Sequence, residues 1–116
     1  MHDYRVDRAK WAALTVSEML GNISSEVGRS IKARREGRKD REEGAIARAL
    51  DLFSATAEAL AGTHQPYRLR EILRARDEWL RLFYDGTFDA DADAIDRYFT
   101  GYALAARAAK DAAAAG

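Results

Sequence analysis

Apolar residues recur along this chain in steps of three and four, the spacing that gathers side chains onto one face of an α-helix. The clearest stretch is residues 67–84, YRLREILRARDEWLRLFY. Leu69, Ile72, Leu73, Leu80 and Phe83 form its apolar stripe, with Trp79 beside them. Arg70, Arg74, Asp77, Glu78 and Arg81 stand opposite. The spacings Glu71–Arg74, Arg74–Glu78 and Asp77–Arg81 place opposite charges within helical reach. Pro66 falls where a first helical residue belongs. A helix this amphipathic draws its stability from packing, so other segments must cover Trp79 and Phe83.

Upstream, one long pattern runs from Arg8 to Arg35, with Asp3 or Asp7 as its cap. Its stripe is Ala13, Val16, Leu20, Ile23, Val27 and Ile31, flanked by Trp11, Leu14 and Met19. Gly21 and Gly28 interrupt it one heptad apart, with Ser24 and Ser25 between. Each glycine costs about 1 kcal/mol against alanine inside a helix. Three readings stand: a tolerated bend, a break near Gly21, or a small-residue groove that lets another helix come close. Gly37 is the natural stop. Asp40, with Glu43 three residues on, has the form of a capping box for a second helix over 41–61, whose stripe is Ile46, Leu50, Phe53, Ala57 and Leu60. Gly62 ends that helix, and Asp85-Gly86 ends the one over 67–84. Residues 87–93, TFDADAD, read as an acidic loop. A last helix starts near Asp91 and carries Ile95, Phe99, Tyr102 and Ala106, and residues 109–116 are expected to fray. No segment alternates as a strand does. The expected fold is all-α, a single domain over 1–116: a four-helix up-down-up-down bundle with a long first helix.

Composition narrows the chemistry. Of 116 residues, 47% are hydrophobic, but much of that is alanine, which buries little area. The core is therefore thin unless a second subunit completes it. Cysteine is absent, which removes disulfides, thiolate zinc sites and cysteine nucleophiles. His2 and His64 are the only histidines. Glu18 and Glu26 lie on the first helix, but no Glu-x-x-His pair accompanies them, so a carboxylate-bridged di-iron bundle is rejected. Ser24, Ser25 and Ser54 have no histidine placed to activate them, unless His64 swings in from its turn. Glycine-rich phosphate loops are missing. The expected protein is not an enzyme and uses no cofactor. No apolar run approaches the roughly 20 residues that span a membrane, and the N-terminus lacks a signal peptide's apolar core, so the expected compartment is the cytoplasm.

Charge adds a polarity that the zero net charge hides. Residues 29–41 hold seven bases against two acids, a local charge of +5, while residues 85–96 hold five aspartates and no base. In an antiparallel bundle these segments share an end and can face each other or a neighbouring copy. Arg34, Arg35, Arg38 and Lys39 are the candidate contacts to nucleic-acid phosphate. No aromatic residue interleaves with them, so base stacking there is not expected. Arg76, lying between Leu73 and Leu80, is expected to pair with Glu18 or Glu26. The surplus apolar surface of the first helix, with Trp11, Gly21, Ser25 and Gly28, is the candidate oligomer interface, so the expected partners are a second copy and a protein partner, with nucleic acid as the alternative.

The segment DAIDRYFTGYALAAR, residues 93–107, resembles the signature helix of the small helical partners of minimal nucleotidyltransferases in the HEPN superfamily, and Asp77-Glu78-Trp79 before an acidic turn is similar to it as well. The resemblance implies a helical toxin–antitoxin component. The helix lies at the C-terminus here rather than mid-chain. The ribonuclease motif of that superfamily needs an arginine four to six residues before a histidine, and His64 has none, so no catalytic residue carries over. In size and helix number the chain also resembles the small four-helix accessory proteins found beside reverse transcriptases and in ribosomal RNA insertions. That likeness implies ring assembly and a basic nucleic-acid surface.

Overall fold

The computed structural model describes residues 5–115 of the chain. Among them are five helices and no strand: α1 (Arg8–Ala12), α2 (Val16–Arg35), α3 (Lys39–Ala61), α4 (Pro66–Tyr84) and α5 (Phe88–Ala115). The all-α class is as expected, but the long first helix is corrected. It breaks at Ala13–Thr15, and neither Gly21 nor Gly28 interrupts it. The cause is a capping box. The Thr15 hydroxyl accepts from the Glu18 amide at 3.1 Å, and the Glu18 carboxylate accepts from the Thr15 amide at 2.9 Å. Two orphan amides are satisfied at once, which makes residue 15 a start rather than a passage. Glu18 is held below the usual carboxylate range by these bonds to Thr15. Asp7, whose side chain accepts from the Lys10 amide, caps α1. Asp3 and His2 lie outside the described residues.

Other boundaries follow local chemistry. After α2, Gly37 adopts φ +68°. The Gly37 amide donates to the Arg34 carbonyl and the Arg38 amide to the Ala33 carbonyl, the paired bonds of a Schellman stop. The helix that follows starts at Lys39, two residues before the expected Arg41. Its N-cap is Arg38, with no side-chain cap bond, so Asp40 and Glu43 do not form the expected box. Pro66 opens α4 as expected. The acidic segment is not a loop. Its residues from Phe88 onward form the first turns of α5, where Asp89 and Asp91 complement the positive helix end. Residues 109–115, expected to fray, are helical.

The helices bury one aromatic line. Phe53 of α3 lies 5.7 Å from Trp79 of α4 and 6.0 Å from Phe99 of α5, centroid to centroid. Ile23, Val27 and Ile31 of α2 close it from the other side. The buried positions of α4 are Ile72, Ala75, Trp79 and Leu82, so its inner face is rotated from the expected stripe; Leu80 and Phe83 are only half-buried. Of the other expected core residues, Leu20, Phe53 and Phe99 are buried, while Val16, Leu50 and Tyr102 sit at the margin. Two buried hydrogen bonds tie the layers: Trp79 Nε1 donates to Ser30 Oγ at 3.0 Å, and Trp11 Nε1 to Thr56 Oγ1 at 2.9 Å. α5 lies along α2 far more extensively than along α4. Arg35 pairs with Asp93 and Gly28 faces Asp96, so α2 and α5 run antiparallel.

Candidate functional site

The looser packing of α4 against α5 leaves an open groove between them. It encloses about 860 Å³ and has Ala75, Ile95 and Phe99 among its apolar lining. Its edges are polar. Tyr67 is 79% exposed and Tyr98 43% exposed. The Arg70 guanidinium lies 4.9 Å from the Tyr67 ring centroid. Arg70, Glu71, Arg74 and Glu78 alternate in sign along the α4 wall. Across the groove, Glu71 accepts from both tyrosines of α5. The Tyr98 hydroxyl reaches it at 3.3 Å, and Tyr102 donates to it more closely still. The two hydroxyls also meet at 2.9 Å. Partial burial, followed by the bond to the Glu71 carboxylate, raises the Tyr102 phenol well above its ordinary range. Tyr98 is raised as well, chiefly by burial. Through these bonds the two tyrosines tie α5 to α4.

The four basic residues singled out from the sequence do not share a face. Arg34 pairs loosely with Glu42 at 3.7 Å, and its guanidinium lies 5.6 Å and 5.2 Å from the ring centroids of Phe83 and Phe88. Arg35 pairs with Asp93, so the basic turn and the acidic segment do meet. Lys39 lies with Arg34 in a cleft that also holds Glu42 and Glu43. Only Arg38 turns toward the opposite trough between α2 and α3. There it joins Arg29, Lys32, Arg41 and Arg48, which charge counting along the chain had not separated from the rest.

The four residues of the expected oligomer face do not share one exposed surface. Trp11 is buried, its indole bonded to Thr56, because the break at Thr15 lets α1 turn onto α3. Gly28 is half-buried with Asp96 of α5 beside it. Its nearest neighbour is that carboxylate, at an ordinary 3.7 Å from where a Cβ would stand, so α5 lies over Gly28 without an unusually close approach. Gly21 is half-buried, and Ser25, although exposed, donates its hydroxyl to the Gly21 carbonyl at 3.3 Å. Arg76 does not reach Glu26 or Glu18; it lies against its neighbour Asp77 at 3.1 Å. Glu26, 8% exposed, is held instead by Arg48 at 2.8 Å and by Arg29.

Among the described residues no three or more acidic, histidine or cysteine side chains gather where they could hold a metal ion. No helix among them is long and apolar enough to cross a membrane. No family model, curated protein or solved structure matches this chain.

Proposed function

We propose that the protein is a non-enzymatic interaction module whose helices α2–α5 form an up-down-up-down bundle, and that it acts by pairing with a second copy through the α4–α5 groove. The observation that carries this reading is the groove itself, an open apolar trough edged by the exposed rings of Tyr67 and Tyr98. The charges on its wall favour a second copy as the occupant. Two α4 helices related by a two-fold axis run antiparallel. With the axis near Arg74, Arg70 of one copy meets Glu78 of the other and the reverse pair repeats on the far side, two opposite-charge contacts against one Arg74–Arg74 contact at the axis. Those residues are eight apart, about 12 Å along the helix. A net charge of zero leaves no general repulsion to overcome.

Sedimentation equilibrium at tens of micromolar protein tests the proposal. The expected mass exceeds the 12.9 kDa monomer, and Tyr67→Glu with Arg70→Glu, neither of them in the Glu71–Tyr98–Tyr102 clamp, returns it to monomer while helicity is retained. A wild-type monomer refutes the reading. A dimer untouched by the two substitutions places the interface elsewhere.

A further inference from the structure

The trough between the end of α2 and the start of α3 belongs to neither the core nor the α4–α5 groove. It encloses about 540 Å³, and Arg29, Lys32, Arg38, Arg41 and Arg48 line it together with two acids, Glu36 and Asp40. Glu26, behind them, pairs with both Arg29 and Arg48 and cancels one of their two charges. Arg38 is only loosely held by Glu36 at 3.5 Å. Among the described residues Lys32 and Arg41 form no ion pair. Ala33 and Gly44 in the lining are small and leave room for a bulky anion between the helices. No aromatic ring lines the trough.

We propose that this trough binds the phosphodiester backbone of single-stranded nucleic acid, without regard to base sequence. Three arguments lead there. Cations at Arg29 and Lys32, about 4.5 Å apart along α2, and at Arg38, Arg41 and Arg48, spread over about 15 Å at the start of α3, match a chain of phosphates better than one. The missing aromatics deny the site base stacking, so the backbone is what it can recognise. The concave shape between two packed helices, whose axes typically lie about 8–10 Å apart, admits one strand and leaves a duplex on the rim. A flat lipid surface fits a concavity still less, and no exposed large apolar side chain flanks this one to enter a bilayer.

The test is fluorescence anisotropy with a labelled oligothymidine and, separately, a labelled duplex, across salt from about 25 to 200 mM. With Lys32, Arg38 and Arg41 each neutralising one phosphate, the slope of log K against log salt for the single strand is about −2, from roughly −0.7 per contact. The double variant Lys32→Gln, Arg41→Gln should flatten that slope by about 1.4 and weaken binding at least about tenfold at low salt. Arg97→Gln, which removes an exposed charge from α5 outside the trough, should change nothing. Circular dichroism confirms that each variant stays folded. The proposal is overturned if no binding is seen up to about 100 μM at low salt, where even non-specific binders are half-saturated. It is overturned equally if Arg97→Gln costs as much as the double variant, or if the duplex binds more tightly than the single strand. Oligomer mass is read separately, so this outcome and that of the dimer test do not depend on each other.

Discussion

Removing the Trp79 indole should expose how α4 is tied to α2. Trp79 is fully buried, and its Nε1 donates to Ser30 Oγ, which in turn donates to the Val27 carbonyl at 2.6 Å. Trp79→Phe removes one buried hydrogen bond, about 1 kcal/mol. It also leaves a void of about 40 Å³, worth about 1 kcal/mol at roughly 24 cal/mol per Å³. Ser30 keeps its own bond to Val27, so no new orphan appears on that side. The expected loss is about 2 kcal/mol. Ser30→Ala acts differently: it strands the indole N–H in a dry core, which costs about 2 kcal/mol. The double variant has no stranded donor, so it should lose about 2 kcal/mol rather than the roughly 4 kcal/mol that additivity requires. Urea melts followed by far-UV circular dichroism give all three values, since a 2 kcal/mol change moves the midpoint by about 1 M for a chain of this size. Single losses that add to within about 0.5 kcal/mol would show that the two side chains are not bonded in solution.

Thr15→Ala should cost about 1 kcal/mol in the same melt by opening the cap of α2. The depressed Glu18 carboxyl contributes stability above its unfolded value of 4.5 and loses it as pH falls below that, so Glu18→Gln should flatten that part of the acid-unfolding curve. Gly28→Ala should raise stability by up to about 1 kcal/mol, because a Cβ there meets Asp96 Oδ1 at an ordinary 3.7 Å; a lower thermal midpoint would mean that α5 lies closer than described. The raised Tyr102 phenol stabilises the fold below its unfolded value of 10.0 and ceases to as pH climbs beyond it. Tyr102→Phe should therefore unfold less steeply with alkali than wild type, and an unchanged profile would argue against its partial burial and its bond to Glu71.

Periodicity and punctuation made the helices legible before any coordinates. Steps of three and four marked each one, Pro66 marked where α4 begins, and Gly37 and Gly86, at φ +68° and +74°, marked stops that only glycine adopts cheaply. These are signals within one or two turns, so the chain carries them locally. Thr15-x-x-Glu18 was a signal of the same kind, but the apolar stripe runs straight across it and outweighed it. What only the tertiary structure decided is which surfaces meet. Arg76 and Arg48 were equally able by length and charge to reach Glu26; the rotation of α3 and α4 about their axes chose Arg48. The inner face of α4 turned from Leu80 toward Leu82 because that helix packs against both α3 and α5, and the line that suits both lies between the stripes that suit either. One run of seven bases was likewise divided between two sides of the molecule, since successive residues of a helix point about 100° apart and α3 covers one of those sides. Sequence states how much charge a segment carries. The direction in which each charge points is a property of the packing, and both proposed interaction surfaces rest on that direction.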